Sequence, residues 1–121
     1  MDFRTKFMLK GITYDELDRE MIPTLNFLNF KVGVKTKFCC FGHEKLDYLY
    51  IMFDDEVDYE TGERVAEKVS KKMRAGLASF KYWIRQGRHG VIKNWILESD
   101  GIKTVKDRYE ILIILENSLR Q

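Results

Sequence analysis

Apolar and polar positions alternate from Phe3 to Lys10, with Phe3, Thr5, Phe7 and Leu9 on one side and Arg4, Lys6, Met8 and Lys10 on the other. That period of two predicts a half-buried first strand. Thr13 followed by Glu16 has the spacing of a capping box, so a helix is expected from about Tyr14. Leu17, Met21, Leu25 and Leu28 form its apolar stripe, Pro23 should kink it near Ile22, and Gly33 lies just past its end. Val32, Val34, Thr36, Phe38 and Cys40 then alternate with Lys35, Lys37 and Cys39 in a second strand. After a turn from Gly42 to Asp47, Leu49, Ile51 and Phe53 alternate with Tyr48, Tyr50 and Met52 in a third strand, the hairpin partner of the second.

Ala66, Val69, Met73, Leu77, Phe80 and Ile84 recur at spacings of three and four, which predicts one long helix from about Tyr59 to Arg85, ended by Gly87 and Gly90. Val91 to Glu98 and Tyr109 to Glu116 read as two further strands, with a turn at Ser99-Asp100-Gly101 and a short strand or irregular return over Ile102 to Lys106. The order is strand, helix, strand, strand, helix, strand and one extra strand. It predicts an α+β two-layer sandwich of the ferredoxin-like kind with a C-terminal extension. One side of its sheet would show Arg4, Lys6, Lys10, Lys35, Lys37, Tyr48 and Tyr50. Cations and rings on one face are what sheet-based binders of single-stranded nucleic acid or nucleotides use. Lys6 to Lys10 does not match the signature peptides of an RNA-recognition motif.

A chain of 121 residues fits a single domain able to bury its own core. No apolar run approaches the length of a membrane span, and the N-terminus lacks the pattern of a secretory signal, so no membrane partner and a cytoplasmic location are expected. The two cysteines are adjacent, a spacing that closes almost no loop, and reduced thiols are expected.

Net charge is only +2, but its distribution is skewed. Ile51 to Ser70 holds seven acids (Asp54, Asp55, Glu56, Asp58, Glu60, Glu63, Glu67) against Arg64 and Lys68. Lys71 to Arg108 holds ten bases against Glu98, Asp100 and Asp107, enough to attract anions. The acids at the start of the helix suit its macrodipole. The same carboxylates, with His43 or Lys45 as a base, have the composition of a metal-dependent nuclease or other hydrolase.

The segment Cys39-Cys40-Phe41-Gly42-His43 concentrates both cysteines and one of two histidines. Three readings follow. Cys39 or Cys40 with His43, His89 and Glu44 could supply zinc ligands, although strand alternation turns the two cysteines to opposite faces. A thiol activated by His43 would need a third group to orient the imidazole, and the sequence names none. Otherwise Cys40 is a small buried residue, Gly42 makes a turn and His43 bonds a backbone carbonyl.

Leu25 to Phe30, Val34, Thr36, the Cys39 to His43 turn and Tyr50 to Phe53 together resemble small uncharacterised proteins of Gram-positive bacteria and their phages. The resemblance implies a small protein that interferes with host defence or regulation, including by sequestering a nucleotide signal.

Trp83, Arg85, Arg88 and His89, with Asn94 and Trp95, form a second patch suited to stacking a base and gripping phosphate, or to anchoring a protein interface. The sequence as a whole points to a non-catalytic, cofactor-free binding protein for a phosphate-bearing ligand. The contacts would come from Arg4, Lys6, Lys35, Lys37, Tyr48, Tyr50, Arg85 and Arg88. The alternative is a protein-interaction or inhibitor module, acting as a homodimer through Trp83 and the strand-like C-terminus.

Overall fold

The predicted central hairpin, the helix start at Tyr59 and the strand from Val91 form, whereas the first and last predicted strands are helices and the second half of the long helix is a strand. In a computed structural model, which describes residues 2–120, Phe3–Leu9 is a helix (α1) and not a strand. Asp2 caps it by accepting from the Thr5 N–H at 2.9 Å, and Phe7 is fully buried. Thr13 and Glu16 frame only one short 3-10 turn, with no side-chain cap. The expected helix begins instead at Ile22, because Pro23 belongs in a first turn where its missing N–H costs nothing. This helix, α2 (Ile22–Asn26), runs into a π-type turn over Phe27–Val32 and stops at Gly33, whose φ of 85° is left-handed.

Strands β1 (Thr36–Cys40) and β3 (Tyr50–Phe53) pair antiparallel as expected, with Cys40 opposite Tyr50 and Phe38 opposite Met52. A two-residue strand β2 (Leu46–Asp47) lies in the loop between them. The long helix is half its predicted length. Helix α3 spans Tyr59–Ser70, capped by Asp58 on the Thr61 N–H at 2.8 Å. Gly76 then takes a left-handed φ of 83°, and Ala78–Gly87 is strand β4. Phe80 and Ile84, read as a continuing helical stripe, belong to that strand. Gly87 and Gly90 close its two-residue turn onto β5 (Gly90–Ser99).

After β6 (Lys103–Thr104), residues Val105–Leu119 form helix α4, where a strand was expected from Tyr109. Thr104 caps it on the Asp107 N–H at 3.1 Å. Arg108, Ile111, Leu112, Leu115 and Ser118 are its buried positions, a helical period hidden in the sequence by the isoleucine-rich run.

The main sheet is fully antiparallel, in the order β1-β3-β5-β4, while β2 and β6 form a separate pair. The architecture is α+β as read from sequence, but without the ferredoxin-like order. Ile51, Phe53, Trp95 and Leu97 from one sheet face join Phe7, Leu25, Leu28, Val65, Val69, Ile111 and Leu115 in a single core. Met52 and Ile96, on the other face, are buried yet stand outside that core. Register therefore gives the sheet a helix-covered inner face and an outer face bearing Phe38, Cys40, Tyr50, Met52, Ile96, Asn94, Trp83, Arg85 and Lys81, the last paired with Glu98 on the same face at 3.1 Å.

β3 pairs with β5 only at residues 96–98, so beyond Trp95 the β4–β5 ribbon extends past the sheet as a two-stranded hairpin. Its root is an aromatic cluster of Tyr59, Tyr82 and Trp95, with ring centroids 4.9–5.3 Å apart. The Trp95 Nε1–H donates to the Tyr59 carbonyl at 3.1 Å. Gly62 permits this approach, since a Cβ there would overlap the indole ring.

Candidate functional site

Two surfaces at opposite ends of the sheet carry the chemistry read from sequence. The first is the outer face running onto the hairpin. From Ala78 to Leu97 the chain holds Lys81, Arg85, Arg88 and Lys93 and no acid. Arg85 lies over the Trp83 ring at 3.8 Å, and its Nη1 donates to Asn94 Oδ1 at 2.9 Å. Asn94 is buried, and its Nδ2 donates both to the Phe53 carbonyl at 2.9 Å and to Asp55 Oδ1 at 2.6 Å. Lys37 completes the chain of contacts on the same Asp55 oxygen at 3.1 Å. The Asn94 amide, then the Lys37 ammonium, hold the Asp55 carboxyl below its usual range. A guanidinium held over a half-exposed indole presents donors and a ring together.

Of the residues expected to contact a ligand, Lys37, Tyr50 and Arg85 share this outer region, and Arg88 sits at the hairpin tip beside His89. Arg4 and Lys6 do not join them. Both are on α1, where Arg4 pairs with Asp15 at 2.5 Å and Lys6 reaches Asn26 Oδ1 at 3.3 Å and lies over the Phe30 ring. Lys35 precedes β1, its carbonyl accepting from Asp54 N–H at 2.9 Å, and Tyr48 is exposed just before β3. Lys81 and Phe38 were missed as members of this face. Lys81 falls within the helix expected from Tyr59 to Arg85, and Phe38, which alternation places opposite Lys35 and Lys37, is 56% exposed.

The second surface is the loop from Phe41 to Tyr48. Arg108 is fully buried, and its guanidinium donates to the carbonyls of Phe41 at 2.7 Å, Glu44 at 2.6 Å and Lys45 at 3.2 Å while lying over the Phe41 ring. A buried charge is tolerable here because backbone carbonyls replace its water. Asp47 accepts from the backbone N–H of His43, Glu44 and Tyr48, and these bonds hold its carboxyl below the ordinary range. Gly42, with a φ of 98°, is enclosed: a Cβ would overlap Arg108 and lie 2.8 Å from Asp47 Cβ.

Asp18 crosses to this loop, where its Oδ2 accepts from the Phe41 N–H at 2.8 Å. Its Oδ1 lies 3.8 Å from His43 Nε2, and Cys40 Sγ lies 3.9 Å from the same nitrogen. Cys39 points inward, as alternation requires, and burial pushes its thiol up to about 12. His89 is at the far hairpin tip. The zinc set read from sequence is thus divided, with Cys40 and His43 brought together and Cys39 and His89 placed elsewhere. Asp18, twenty-three residues before Phe41, was missed.

The acids after β3 do not converge. Asp58 caps α3, Asp54 accepts from the Glu56 N–H at 3.2 Å and Asp55 holds Asn94 and Lys37. Among the described residues, the one cluster of three or more His, Cys, Asp or Glu with ligand atoms within 4.8 Å is Asp18, Cys40 and His43.

A protein-family model, that of the YoqC prophage protein, matches residues 5–118. The chain belongs to that family. The expected phage connection is met at this level. No curated protein and no solved structure matches the chain. No described helix is long and apolar enough to cross a membrane.

Proposed function

We propose that this protein binds a phosphate-bearing ligand without covalent chemistry, and that the ligand is an extended single strand of nucleic acid lying along the outer sheet face and hairpin. The observation that carries the reading is the Arg85–Trp83 contact on a basic ribbon whose single acid, Glu98, lies at the end away from the hairpin tip and pairs with Lys81 at 3.1 Å. An open, twisted ribbon offers a linear track, which suits successive bases and phosphates better than an enclosed mononucleotide. Trp83, Phe38 and Tyr50 supply exposed rings, Arg85 and Arg88 supply cations along it, and Lys37 and Lys81 add cations that also pair with Asp55 and Glu98. In a prophage-encoded protein, such binding would act by sequestering a nucleic-acid signal from host regulation or defence.

The test is fluorescence anisotropy with labelled single-stranded DNA and RNA of about 12 nucleotides, within the site size of sheet-based binders. Binding should weaken steeply as salt rises, and Trp83→Ala with Arg85→Ala should cost at least about tenfold in affinity. Absence of salt-dependent binding to either strand type, or full affinity in the double variant, rejects the reading.

A second reading has its own support. Ile84 and Val91, on the other side of the ribbon, are 58% and 60% exposed, a pair of apolar side chains suited to a protein partner. Dimerisation through a strand-like C-terminus has no such support, because that segment is helix α4.

A further inference from the structure

We propose that Asp18, Cys40 and His43 form a zinc site with three protein ligands and an open fourth position. The proposal does not depend on nucleic-acid binding, since none of its three donors is a contact proposed for the strand, although Cys40 pairs opposite Tyr50 on the outer face.

Three donors of different softness converge here, a thiol sulfur, an imidazole nitrogen and a carboxylate oxygen, and zinc accepts all three types. Ideal tetrahedral zinc bonds place sulfur and nitrogen ligands about 3.6 Å apart. The Cys40 to His43 separation of 3.9 Å therefore needs only a small inward shift. The ring of His43 is 72% exposed, which leaves it free to make that shift.

The geometry also separates a metal site from a nucleophilic thiol. In a catalytic relay, the nucleophile and the orienting carboxylate occupy different nitrogens of the imidazole. Here Cys40 Sγ and Asp18 Oδ1 both face Nε2 of His43. Convergence on one atom is the arrangement a single cation would join.

The surrounding structure holds these donors in place. Asp18 is oriented by the Phe41 N–H on its other oxygen, and Cys40 is fixed by β1 pairing opposite Tyr50. The His43 backbone is tied to Asp47, while Arg108 clamps the carbonyls on either side of it. Such outer contacts orient ligands and raise metal affinity. With no fourth His, Cys, Asp or Glu donor in the cluster among the described residues, a water or a ligand atom would complete the shell, as in open zinc sites.

The test titrates the purified wild-type chain with cobalt(II) as a spectroscopic stand-in, then displaces it with zinc. One equivalent should give the thiolate-to-metal charge-transfer band and the visible bands of a tetrahedral site, and zinc should abolish both. Cys40→Ser should lose the charge-transfer band and Cys39→Ser should keep it. Asp18→Asn should weaken affinity at least about tenfold. A wild-type chain that takes up no stoichiometric cobalt overturns the proposal whatever the variants do. So does a band that survives Cys40→Ser or disappears in a folded Cys39→Ser protein.

Discussion

The loop from Phe41 to Tyr48 and the hairpin from Trp83 to Asn94 leave the same sheet at opposite ends and are built on opposite principles. In the loop, backbone carbonyls and N–H groups are satisfied by the side chain of Asp47 within it and by those of Arg108 and Asp18 from elsewhere in the chain. In the hairpin the backbone satisfies itself through the β4–β5 ladder, and beyond the buried Asn94 at its root most side chains face solvent. Side chains in the loop are therefore structural parts that position a small cluster. Those on the hairpin are free to bind, and losing them should cost little stability.

The strongest way to break this contrast is Arg108→Leu. The substitution keeps bulk but leaves the Phe41 and Glu44 carbonyls without their donor, where each buried unpaired group costs about 1–3 kcal/mol. A loss of about 3 kcal/mol in urea unfolding is expected, with hydrogen exchange accelerated in residues 41–48 before the rest. A loss below about 0.5 kcal/mol, the size of an ordinary surface change, would show that the loop is not clamped from within.

A smaller effect is expected at Asn94, where the hairpin leaves the sheet and the two principles meet. Asn94→Ala frees the Phe53 carbonyl, Asp55 and Arg85 at once, for a cost of about 1–2 kcal/mol. It should also change the acid limb of stability. Asp55 titrates below its unfolded value of 3.8, so its contribution is present above that pH and is lost as pH falls through the lowered folded value. Removing Asn94, the largest cause of the shift, should bring the Asp55 carboxyl resonance back toward the ordinary titration range and make that loss shallower. An unchanged titration would show that Lys37 alone sets the shift.

These two regions were unequally legible in the sequence. The β1–β3 hairpin and the start of α3 follow from alternation and from Asp58 preceding the stripe, signals that act locally. Helix α4 was concealed because its isoleucines favour a strand, while Thr104 and Asp107, at cap spacing, carried the better signal. In α1 the same alternation that suggests a strand also places Phe3 and Phe7 one helical turn apart, and Asp2 with Thr5 decides the matter. Strand β4 was lost because Phe80 and Ile84 continue a helical spacing beyond Gly76, whose positive φ ends it. Cys40 and His43 were legible as sequence neighbours. Asp18 and Arg108 were not, since only the tertiary fold brings a carboxylate from before α2 and a guanidinium from α4 onto one loop.

The smallest effect on stability should come from Arg88→Ala, at the hairpin tip between Gly87 and Gly90. Arg88 is exposed, and the ladder around it uses backbone groups alone, so unfolding should shift by less than about 0.5 kcal/mol. Its effect on binding should be of a different kind. If it contacts one phosphate of a single strand, the slope of log affinity against log salt should become shallower by about 0.7, whatever the oligonucleotide sequence. A stability loss comparable to that of Asn94→Ala would place Arg88 in the fold. An unchanged salt slope in a protein that binds would move the strand off the tip and back onto the Trp83 and Arg85 face, which narrows the track without altering the contrast between a clamped loop and a free ribbon.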